Sequence, residues 1–349
     1  MKRILLVGAG HAHLAVLRSL AKEPLDGARF ALVTPRPRQV YSGMLPGVVA
    51  GHYRREDAEV DVAQLAERAR AVFIDGEVAA FDAQQRTATL ADGNELEFDS
   101  ASLNAGSLAD TAIPGSAEHA LPVKPFDRLL ERVELSPGKH VAVIGGGAAG
   151  VELAMAVRHR GAQASVYSER SPFPPRVAAR VAAALRQQSV SFLATAVTRL
   201  EAGGRVIAGS TEARYDQLVL ASGAMPLPWL AASGLATDER GFVRIDETLR
   251  SVSHPEVFAV GDCASFGEGR VPKSGVFALR QGEALARSLR ALVRGQALAP
   301  YRPQQRALML LSCGRRYAIA QRGAWSAEGR WVWWWKDRID RTWLRSLQA

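Results

Sequence analysis

The feature that most restricts the fold is a glycine-rich turn in the middle of the chain, within residues 141–152. Residues 141–144 are mostly β-branched and apolar, which indicates a strand covered on both faces. Gly145, Gly147 and Gly150 follow with G-x-G-x-x-G spacing. The first glycine permits a tight turn, the second lets a pyrophosphate approach a helix N-terminus, and the third lets helix and strand pack closely. Because packing alone can also require glycine turns, the motif needs a second indication of nucleotide binding.

A second turn of the same form lies near the N-terminus. Residues 4–7 read as a buried strand, Gly8 and Gly10 hold the first two glycine positions, and His13 holds the third. Two such turns in one chain predict two nucleotide sites. We interpret His11 and His13 as packing or phosphate-adjacent residues and predict no metal site, because residues two apart do not share a helix face.

A third motif, F-A-V-G-D, ends a short apolar strand at Gly261 and Asp262. In this order the three motifs resemble the two-dinucleotide-binding-domain flavoproteins of the pyridine nucleotide-disulfide oxidoreductase superfamily. The resemblance covers about residues 1–295. The motifs at residues 41–47 (Y-S-G-M-L-P-G) and 335–341 (W-K-D-R-I-D-R) resemble a smaller group. That group is related to type II NADH dehydrogenases and is sometimes fused to selenide,water dikinase.

The resemblance implies an α/β protein with two Rossmann-like, three-layer nucleotide-binding domains. We expect a discontinuous FAD-binding domain from residues 1–112 and 233–299, and an NAD(P)H-binding domain from residues 113–232. Residues 300–349 remain as a short C-terminal tail.

Internal repetition points to the same duplicated architecture. The sequence L-N-A-G at residues 103–106 is echoed by L-A-S-G at residues 220–223. Short apolar segments after each glycine turn predict one β-meander within residues 72–98 and another within residues 190–223.

The resemblance assigns FAD to the first glycine turn. Thr34 stands where an acid that binds the ribose is expected, so a hydroxyl or backbone contact must replace that acid. Ser42 lies in a glycine- and proline-rich loop that we expect over the flavin, and the Asp262 carboxylate is expected to accept a ribityl hydroxyl. The residues predicted to bind FAD are Gly8, Gly10, His11, His13, Thr34, Ser42, Gly106, Gly261, Asp262 and Lys273.

Hydride transfer from nicotinamide to flavin depends on orientation and local charge more than on acid and base side chains. Lys273 is the residue that we predict to supply this charge, and we therefore assign it a catalytic role. Ser274 follows as the predicted cap of a helix whose positive end faces the flavin. A plain surface lysine is the alternative.

The resemblance assigns NAD(P)H to the second glycine turn. In the resembling proteins the glutamate at the position of Glu152 lies near the nicotinamide, and a surface glutamate is the alternative. Ser168 stands where an acid selects NAD and Arg170 follows, which favours NADPH or dual use unless Glu169 is the acid. The residues predicted to bind NAD(P)H are Gly145, Gly147, Gly150, Glu152, Ser168, Arg170 and Gly223.

The electron acceptor is the least constrained part of the prediction. Type II NADH dehydrogenases carry A-Q-x-A-x-Q-x-G where a quinone meets the flavin. Aligned on Gly282, the alanine matches at Ala278, but Val276 and Arg280 replace the glutamines. We therefore predict a small-molecule acceptor, with quinone as one candidate. Sulfide- or selenium-linked chemistry and a non-turnover NAD(P)H sensor are the alternatives. Cys263 and Cys313 form no CxxC pair, and we expect both to be structural.

The overall charge favours anionic partners, because the chain has a formal net charge of +9 and a pI near 10.0. Phosphates of dinucleotides, acidic lipids and nucleic acids all meet this condition, but no nucleic-acid motif is present. Residues 331–345 combine tryptophan with arginine, which suits a membrane interface. A buried tryptophan cluster is the alternative. With two cysteines, no signal-peptide pattern and no apolar run of about 18 residues, we expect a cytoplasmic protein, with peripheral contact to the membrane as the second possibility.

Overall fold

The computed structural model describes residues 1–267 and 271–348. Its α-helices are α1 (His11–Lys22), α2 (Leu45–Val49), α3 (Val62–Arg68), α4 (Ser116–His119), α5 (Phe126–Arg132), α6 (Ala148–Arg160), α7 (Pro175–Gln187), α8 (Gly275–Val293) and α9 (Arg330–Gln348). Short 3₁₀ turns occupy Glu56–Ala58, Pro228–Ala232 and Gly261–Cys263.

The strands, in chain order, are β1 (Lys2–Val7), β2 (Ala28–Thr34), β3 (Arg38–Val40), β4 (Glu59–Asp61), β5 (Ala71–Asp75), β6 (Val78–Asp82), β7 (Thr87–Leu90), β8 (Glu95–Glu97), β9 (Ser100–Leu103), β10 (Leu121–Pro122), β11 (His140–Ile144), β12 (Gln163–Tyr167), β13 (Ser191–Leu193), β14 (Arg199–Glu201), β15 (Arg205–Ala208), β16 (Thr211–Arg214), β17 (Gln217–Leu220), β18 (Val243–Ile245), β19 (Val257–Ala259), β20 (Ala264–Phe266), β21 (Met309–Ser312), β22 (Ala318–Arg322) and β23 (Trp325–Gly329).

The first of the two five-stranded parallel sheets in the described residues has the strand order β19-β9-β1-β2-β5. Ile4 lies opposite Phe30 on one side and Ser100 on the other. Helix α1 packs against α3 and α8. Gly282 permits the contact with α8, because a Cβ at this position would lie 2.7 Å from the Cα of Ala12. This sheet therefore combines strands from the first hundred residues with β19, far along the chain.

The second parallel sheet has the order β10-β17-β11-β12-β13. Its central strand β11 is the one that precedes the second glycine turn, and its last four residues are buried. Two parallel sheets with helices between their strands confirm the predicted α/β class. The exact domain limits stay predictions.

The two predicted β-meanders were wrong about which strands they contain. The segments at residues 72–75, 190–193 and 218–223 supply β5, β13 and β17, which pair in parallel within the two main sheets. Strands β5 and β13 follow helices α3 and α7, and a strand that is reached through a helical crossover pairs in parallel. The antiparallel sheets that form are β6-β7-β8 and β14-β15-β16, and strand β16 was not predicted.

The C-terminal region is folded. Strands β21, β22 and β23 form an antiparallel sheet, and α9 follows with a buried face at helical spacing. Trp333 and Trp343 are buried on that face, and Arg18 lies 4.5 Å from the ring centre of Trp343. Trp331, Trp334 and Trp335 are exposed. No helix within the described ranges is long and apolar enough to cross a membrane.

Candidate active site

A cavity of about 650 Å³ lies at the carboxyl ends of the strands in the first sheet. Such edges are where open α/β sheets bind their ligands. Gly8 and Gly10 line one part of it, and Lys273 at the start of α8 lines another. The structure brings together on this cavity nine predicted FAD residues, namely Gly8, Gly10, His11, Thr34, Ser42, Gly106, Gly261, Asp262 and Lys273.

The first glycine turn lies directly against the end of β9. Gly8 has φ of +84°, and a Cβ there would be 2.6 Å from the Cα of Ala105. The side-chain Oδ1 of Asn104 accepts hydrogen bonds from the backbone N–H groups of Ala12 and His13, both at 3.1 Å. Asn104 thereby satisfies two of the unpaired donors at the start of α1. Sequence reasoning missed this residue, although its position after β9 places it at the same sheet edge as the turn.

His13, at the position of the third glycine, points away from the cavity lining. Its Nδ1 lies 2.6 Å from the carbonyl oxygen of Gly8, and its Nε2 lies 2.8 Å from Oγ of Ser102. Because a carbonyl only accepts, Nδ1 carries the proton and Nε2 accepts from the Ser102 hydroxyl. Burial lowers the pKa of His13 to about 4, so the ring is neutral. The ring thus ties the glycine turn to β9.

His11 lines the cavity beside the glycine turn. Its Nε2 lies 3.3 Å from Oγ of Ser42, and its ring contacts that of Tyr41 with centroids 5.2 Å apart. Burial lowers the pKa of His11 to about 4, which the nearby Asp262 carboxylate only partly offsets. Both turn histidines are therefore uncharged near neutral pH.

Asp262 forms an ion pair that the sequence did not predict. Its Oδ2 lies 2.6 Å from Nζ of Lys124 and accepts a hydrogen bond from the hydroxyl of Ser107 at 3.3 Å. Burial alone would raise the pKa of Asp262, but the Lys124 ammonium, helped by Lys273 and the Ser107 hydroxyl, outweighs burial, and the pKa lies below its usual value. Asp262 is therefore an ionised acceptor at the cavity wall. Lys124 had no local signal, because its partner is 138 residues away.

Lys273 is fixed on the backbone of the loop that carries Asp262. Its Nζ donates to the carbonyl oxygens of Asp262 at 2.8 Å and Ala264 at 2.9 Å, and it lies 3.4 Å from the ring centre of Phe242. Burial lowers its pKa. Lys273 is therefore an anchored, half-buried cation on the cavity wall, and a plain surface lysine is excluded.

Helix α8 begins at the cavity, with its first residue Gly275 in the lining. Ser274 occupies the N-cap position, but its side chain makes no capping hydrogen bond, so that part of the prediction was wrong. The uncapped N–H groups of a 19-residue helix leave a partial positive charge at the cavity.

The second glycine turn has the geometry of a close-approach site. Gly145 has φ of +127°, and a Cβ on Gly150 would overlap the carbonyl oxygen of Gly145. Gly147 is the N-cap of α6, and no atom lies within 4 Å of the place where its Cβ would be. The turn therefore leaves open space in front of a helix N-terminus, which suits a phosphate.

The end of β12 carries the predicted selectivity residues. The hydroxyl of Ser168 donates to the carbonyl oxygen of Arg170 at 2.8 Å, and the side chains of Glu169 and Arg170 are exposed. The predicted NAD(P)H residues are not among the described residues that line the FAD-side cavity. These residues are Gly145, Gly147, Gly150, Glu152, Ser168, Arg170 and Gly223.

Glu152 lies in a buried polar cluster under the C-terminal region. Its Oε1 accepts the backbone N–H of Ser312 at 2.7 Å. Burial raises its pKa to about 7, opposed by Lys336 and reinforced by Asp340. Lys336 donates to Oδ2 of Asp340 at 2.7 Å and also to the carbonyl oxygen of Gly43. A surface glutamate is therefore excluded.

This cluster reaches the cavity through Tyr41, which lines the cavity and is hydrogen-bonded to Asp340. Burial, with Asp340 as a second cause, raises the pKa of Tyr41, so the phenol keeps its proton. Tyr41, Lys336 and Asp340 lie in the two motifs at residues 41–47 and 335–341, but their role in this cluster was not predicted, because polar residues on the buried face of α9 break the expected apolar pattern.

The two cysteines are buried, as expected of structural residues. Burial raises the pKa of Cys263 to about 11, and burial also raises that of Cys313. Both are therefore thiols near neutral pH, and a thiol is a poor nucleophile compared with a thiolate.

Fold and cavity together define a class, the oxidoreductases with two dinucleotide-binding folds. The residues that line the cavity suit FAD. Gly106 has φ of +80°, and the space at its missing Cβ is open. The N-terminus of α8 and the ionised carboxylate of Asp262 line the same cavity. Residues 2–282 match the family described as pyridine nucleotide-disulphide oxidoreductase. The chain belongs to this family. It is an FAD-dependent NAD(P)H oxidoreductase.

The chain is similar to several known proteins. It is 28% identical over 273 residues to ferroptosis suppressor protein 1 of Xenopus tropicalis, covering 71% of each chain. It is 24% identical over 325 residues to the NADH dehydrogenase-like protein YutJ of Bacillus subtilis, covering 87% of each. The solved structure of sulfide:quinone oxidoreductase from Aquifex aeolicus aligns with a TM-score of 0.83 at 17% identity, over 99% of this chain and 91% of that one.

Proposed function

We propose that this chain oxidises NAD(P)H through FAD and passes the electrons to a quinone-type small molecule. The observation that carries the proposal is the buried cluster of Glu152, Lys336 and Asp340 beside the cavity. A quinone takes up two protons with two electrons, so its reduction requires a proton source near the flavin. A quinone is also the acceptor named for the Aquifex aeolicus neighbour.

FAD, when bound, accepts the hydride and passes on the electron pair. Gly8 and Gly10 would hold its diphosphate, and the ionised Asp262 would accept from its ribityl chain. Lys273 and the N-terminus of α8 give this end of the cavity a positive potential. A positive potential favours negative charge on a bound group, so it supports acceptance of the hydride.

The proton source in this proposal is Glu152. Because its pKa is about 7, the side chain is close to half protonated at neutral pH and can both hold and release a proton there. Glu152 interacts electrostatically with Lys336 and Asp340, and Asp340 is hydrogen-bonded to the Tyr41 phenol on the cavity wall. Lys336 holds Asp340 in place and lowers the charge repulsion between the two carboxyl groups.

The test compares a proton-coupled acceptor with one that takes electrons alone. In Glu152→Gln we expect turnover with a short-chain quinone to fall about tenfold or more, within the range for loss of a general acid. Turnover with ferricyanide should stay near wild type, because ferricyanide needs no proton. Glu118→Gln, a change of an exposed glutamate, is the control. Equal loss with both acceptors, or none with quinone, would overturn the proposal.

We further propose that the exposed face of α9 contacts an anionic lipid surface, from which a lipophilic acceptor enters. Trp331, Trp334 and Trp335 are 55%, 51% and 36% exposed and recur at helical spacing. Arg316 lies 5.9 Å from the ring centre of Trp334, which adds positive charge to the same surface. Tryptophan beside arginine is typical of membrane interfaces. This proposal implies a cytoplasmic protein with peripheral membrane contact.

The membrane proposal is tested by sedimentation with vesicles. Trp334→Ser combined with Trp335→Ser should weaken binding to vesicles that contain anionic lipid, while binding to purely zwitterionic vesicles stays weak throughout. Val252→Ser, an exposed apolar residue outside α9, is the control. Unchanged sedimentation of the double variant would contradict the proposal.

A further inference from the structure

One end of the FAD cavity has a charge arrangement that differs from the usual dinucleotide fold. Strand β2 ends at Thr34, where an acid that binds the ribose is the rule. Pro35 and Arg36 follow, and both Thr34 and Arg36 line the cavity. A hydroxyl and a guanidinium therefore occupy the place of a carboxylate. A guanidinium only donates hydrogen bonds, so this end is built for acceptor atoms.

Arg36 is held by a carboxylate from the other part of the chain. Its Nη1 lies 2.8 Å from Oδ2 of Asp127, whose side chain is 9% exposed. Asp127 is in the first turn of α5 and also lines the cavity. Its other oxygen, Oδ1, lies 2.6 Å from Nη2 of Arg55. Both oxygens of this carboxylate are thus engaged by arginine, so Asp127 is not a substitute for the missing ribose acid.

The ion pairs cross between the two proposed domains. Arg36 and Arg55 belong to residues 1–112, and Asp127 belongs to residues 113–232. Arg55 is itself fixed by Glu59 at 2.7 Å. A buried carboxylate between two arginines has a defined position, and the planar guanidinium has further N–H groups in a fixed orientation. The second part of the chain therefore sets the orientation of a cation on the FAD cavity.

We propose that Arg36, positioned by Asp127, binds the adenosine diphosphate half of FAD and replaces the acid that this fold ordinarily uses. The phosphate and ribose oxygens of that half are the acceptors that a guanidinium recognises. Arg36 is then a specificity residue for FAD against FMN, which lacks the adenosine half. The inference rests on FAD binding in this cavity and does not depend on which acceptor receives the electrons.

The test is a competition between FAD and FMN for the protein, with the retained flavin identified after separation. Relative to wild type, Arg36→Ala should shift the FAD-to-FMN ratio toward FMN by about ten- to a hundredfold, as for loss of a charged hydrogen bond. Asp127→Asn should shift the ratio in the same direction by less. Arg54→Ala, which removes a guanidinium that is 78% exposed and paired with Asp57, should leave it unchanged.

The role of Asp127 is separated from general destabilisation by a double variant. If Asp127 acts through Arg36, then Arg36→Ala with Asp127→Asn should shift the ratio no further than Arg36→Ala alone. Lower retention of both flavins at a constant ratio would overturn the inference, and so would a wild-type ratio in Arg36→Ala. Wild-type protein that retains neither flavin would instead refute FAD binding itself, whereas loss of quinone turnover alone leaves the inference intact.

Discussion

The Nζ atom of Lys124 lies 2.6 Å from Oδ2 of Asp262. This ion pair joins the segment that follows β10, in the second sheet, to the loop that follows β19, in the first. This pair decides the charge of the group that faces the predicted ribityl chain. Burial favours the neutral acid, and the Lys124 ammonium is the main group that keeps the carboxyl ionised, with smaller contributions from Lys273 and the Ser107 hydroxyl. The proposed flavin contact of Asp262 therefore depends on a residue far away in the sequence.

Replacing Asp262 by alanine should release most of the bound FAD. The lost interaction is a hydrogen bond from the ribityl chain to a charged acceptor, which contributes about 1.5–3 kcal/mol. Flavin absorbance per protein after gel filtration measures the result. Wild-type flavin content in Asp262→Ala would contradict the role assigned here.

Replacing Lys124 by methionine should make FAD retention sensitive to pH. In the wild type the Asp262 pKa is depressed, so the ionised form persists until the pH falls well into the acid range. Without the ammonium, burial raises that pKa and the carboxyl becomes protonated at higher pH. We expect the variant to lose flavin as the pH falls, at a higher pH than the wild type does. Identical pH curves for the two proteins would refute this.

Asn104→Ala should destabilise the protein by about 1–3 kcal/mol, because the buried N–H groups of Ala12 and His13 lose their shared acceptor. Denaturant unfolding of the variant measures the change. Asn94→Ala, at an exposed turn, is the matched control and should have little effect. An effect of Asn104→Ala no larger than that of the control would show that the N-terminus of α1 finds other partners.

A site residue or a strand pairing could be predicted from the sequence only where neighbouring residues determine it. Gly8 and Gly145 were predictable because a positive φ and a tight turn are properties of a few neighbouring residues. Asn104 and Lys124 were not, since each acts on a partner about a hundred residues away. The parallel pairing of β5 was missed for the same reason, because an apolar run does not specify its neighbour in the sheet.

The packing of the C-terminal helix α9 could not be predicted from the sequence for a different reason. The buried face of α9 includes Lys336, Asp337 and Asp340, so no continuous apolar stripe announces a packed helix. These charges are buried because partners from distant segments satisfy them. For example, Asp337 accepts from the hydroxyl of Tyr53 at 2.7 Å. A sequence pattern cannot reveal such partners, so the cluster around Glu152 became visible only in the fold.

Glu152 should make the stability of the protein depend on pH. Its pKa is raised from an ordinary value of 4.5 to about 7, so between these values the folded state binds more protons than the unfolded state. Stability must therefore decrease as the pH rises from about 4.5 to about 7 on account of this group. Glu152→Gln should flatten this part of the curve of unfolding free energy against pH. A variant curve parallel to the wild type across that range would rule out a raised pKa.

The residues at the end of β12 should determine the choice between NADH and NADPH. Ser168 has no charge to repel a 2′-phosphate, and its hydroxyl holds the backbone of Arg170, whose exposed guanidinium is available at the end of β12. A charged hydrogen bond to phosphate corresponds to about ten- to a hundredfold in affinity. Arg170→Ala should therefore raise the KM for NADPH by this factor and leave that for NADH nearly unchanged. Arg199→Ala, at an exposed arginine of β14, is the control. If Glu169 is instead the selecting acid, the wild type will prefer NADH by about tenfold or more, and Arg170→Ala will affect both cofactors equally or not at all.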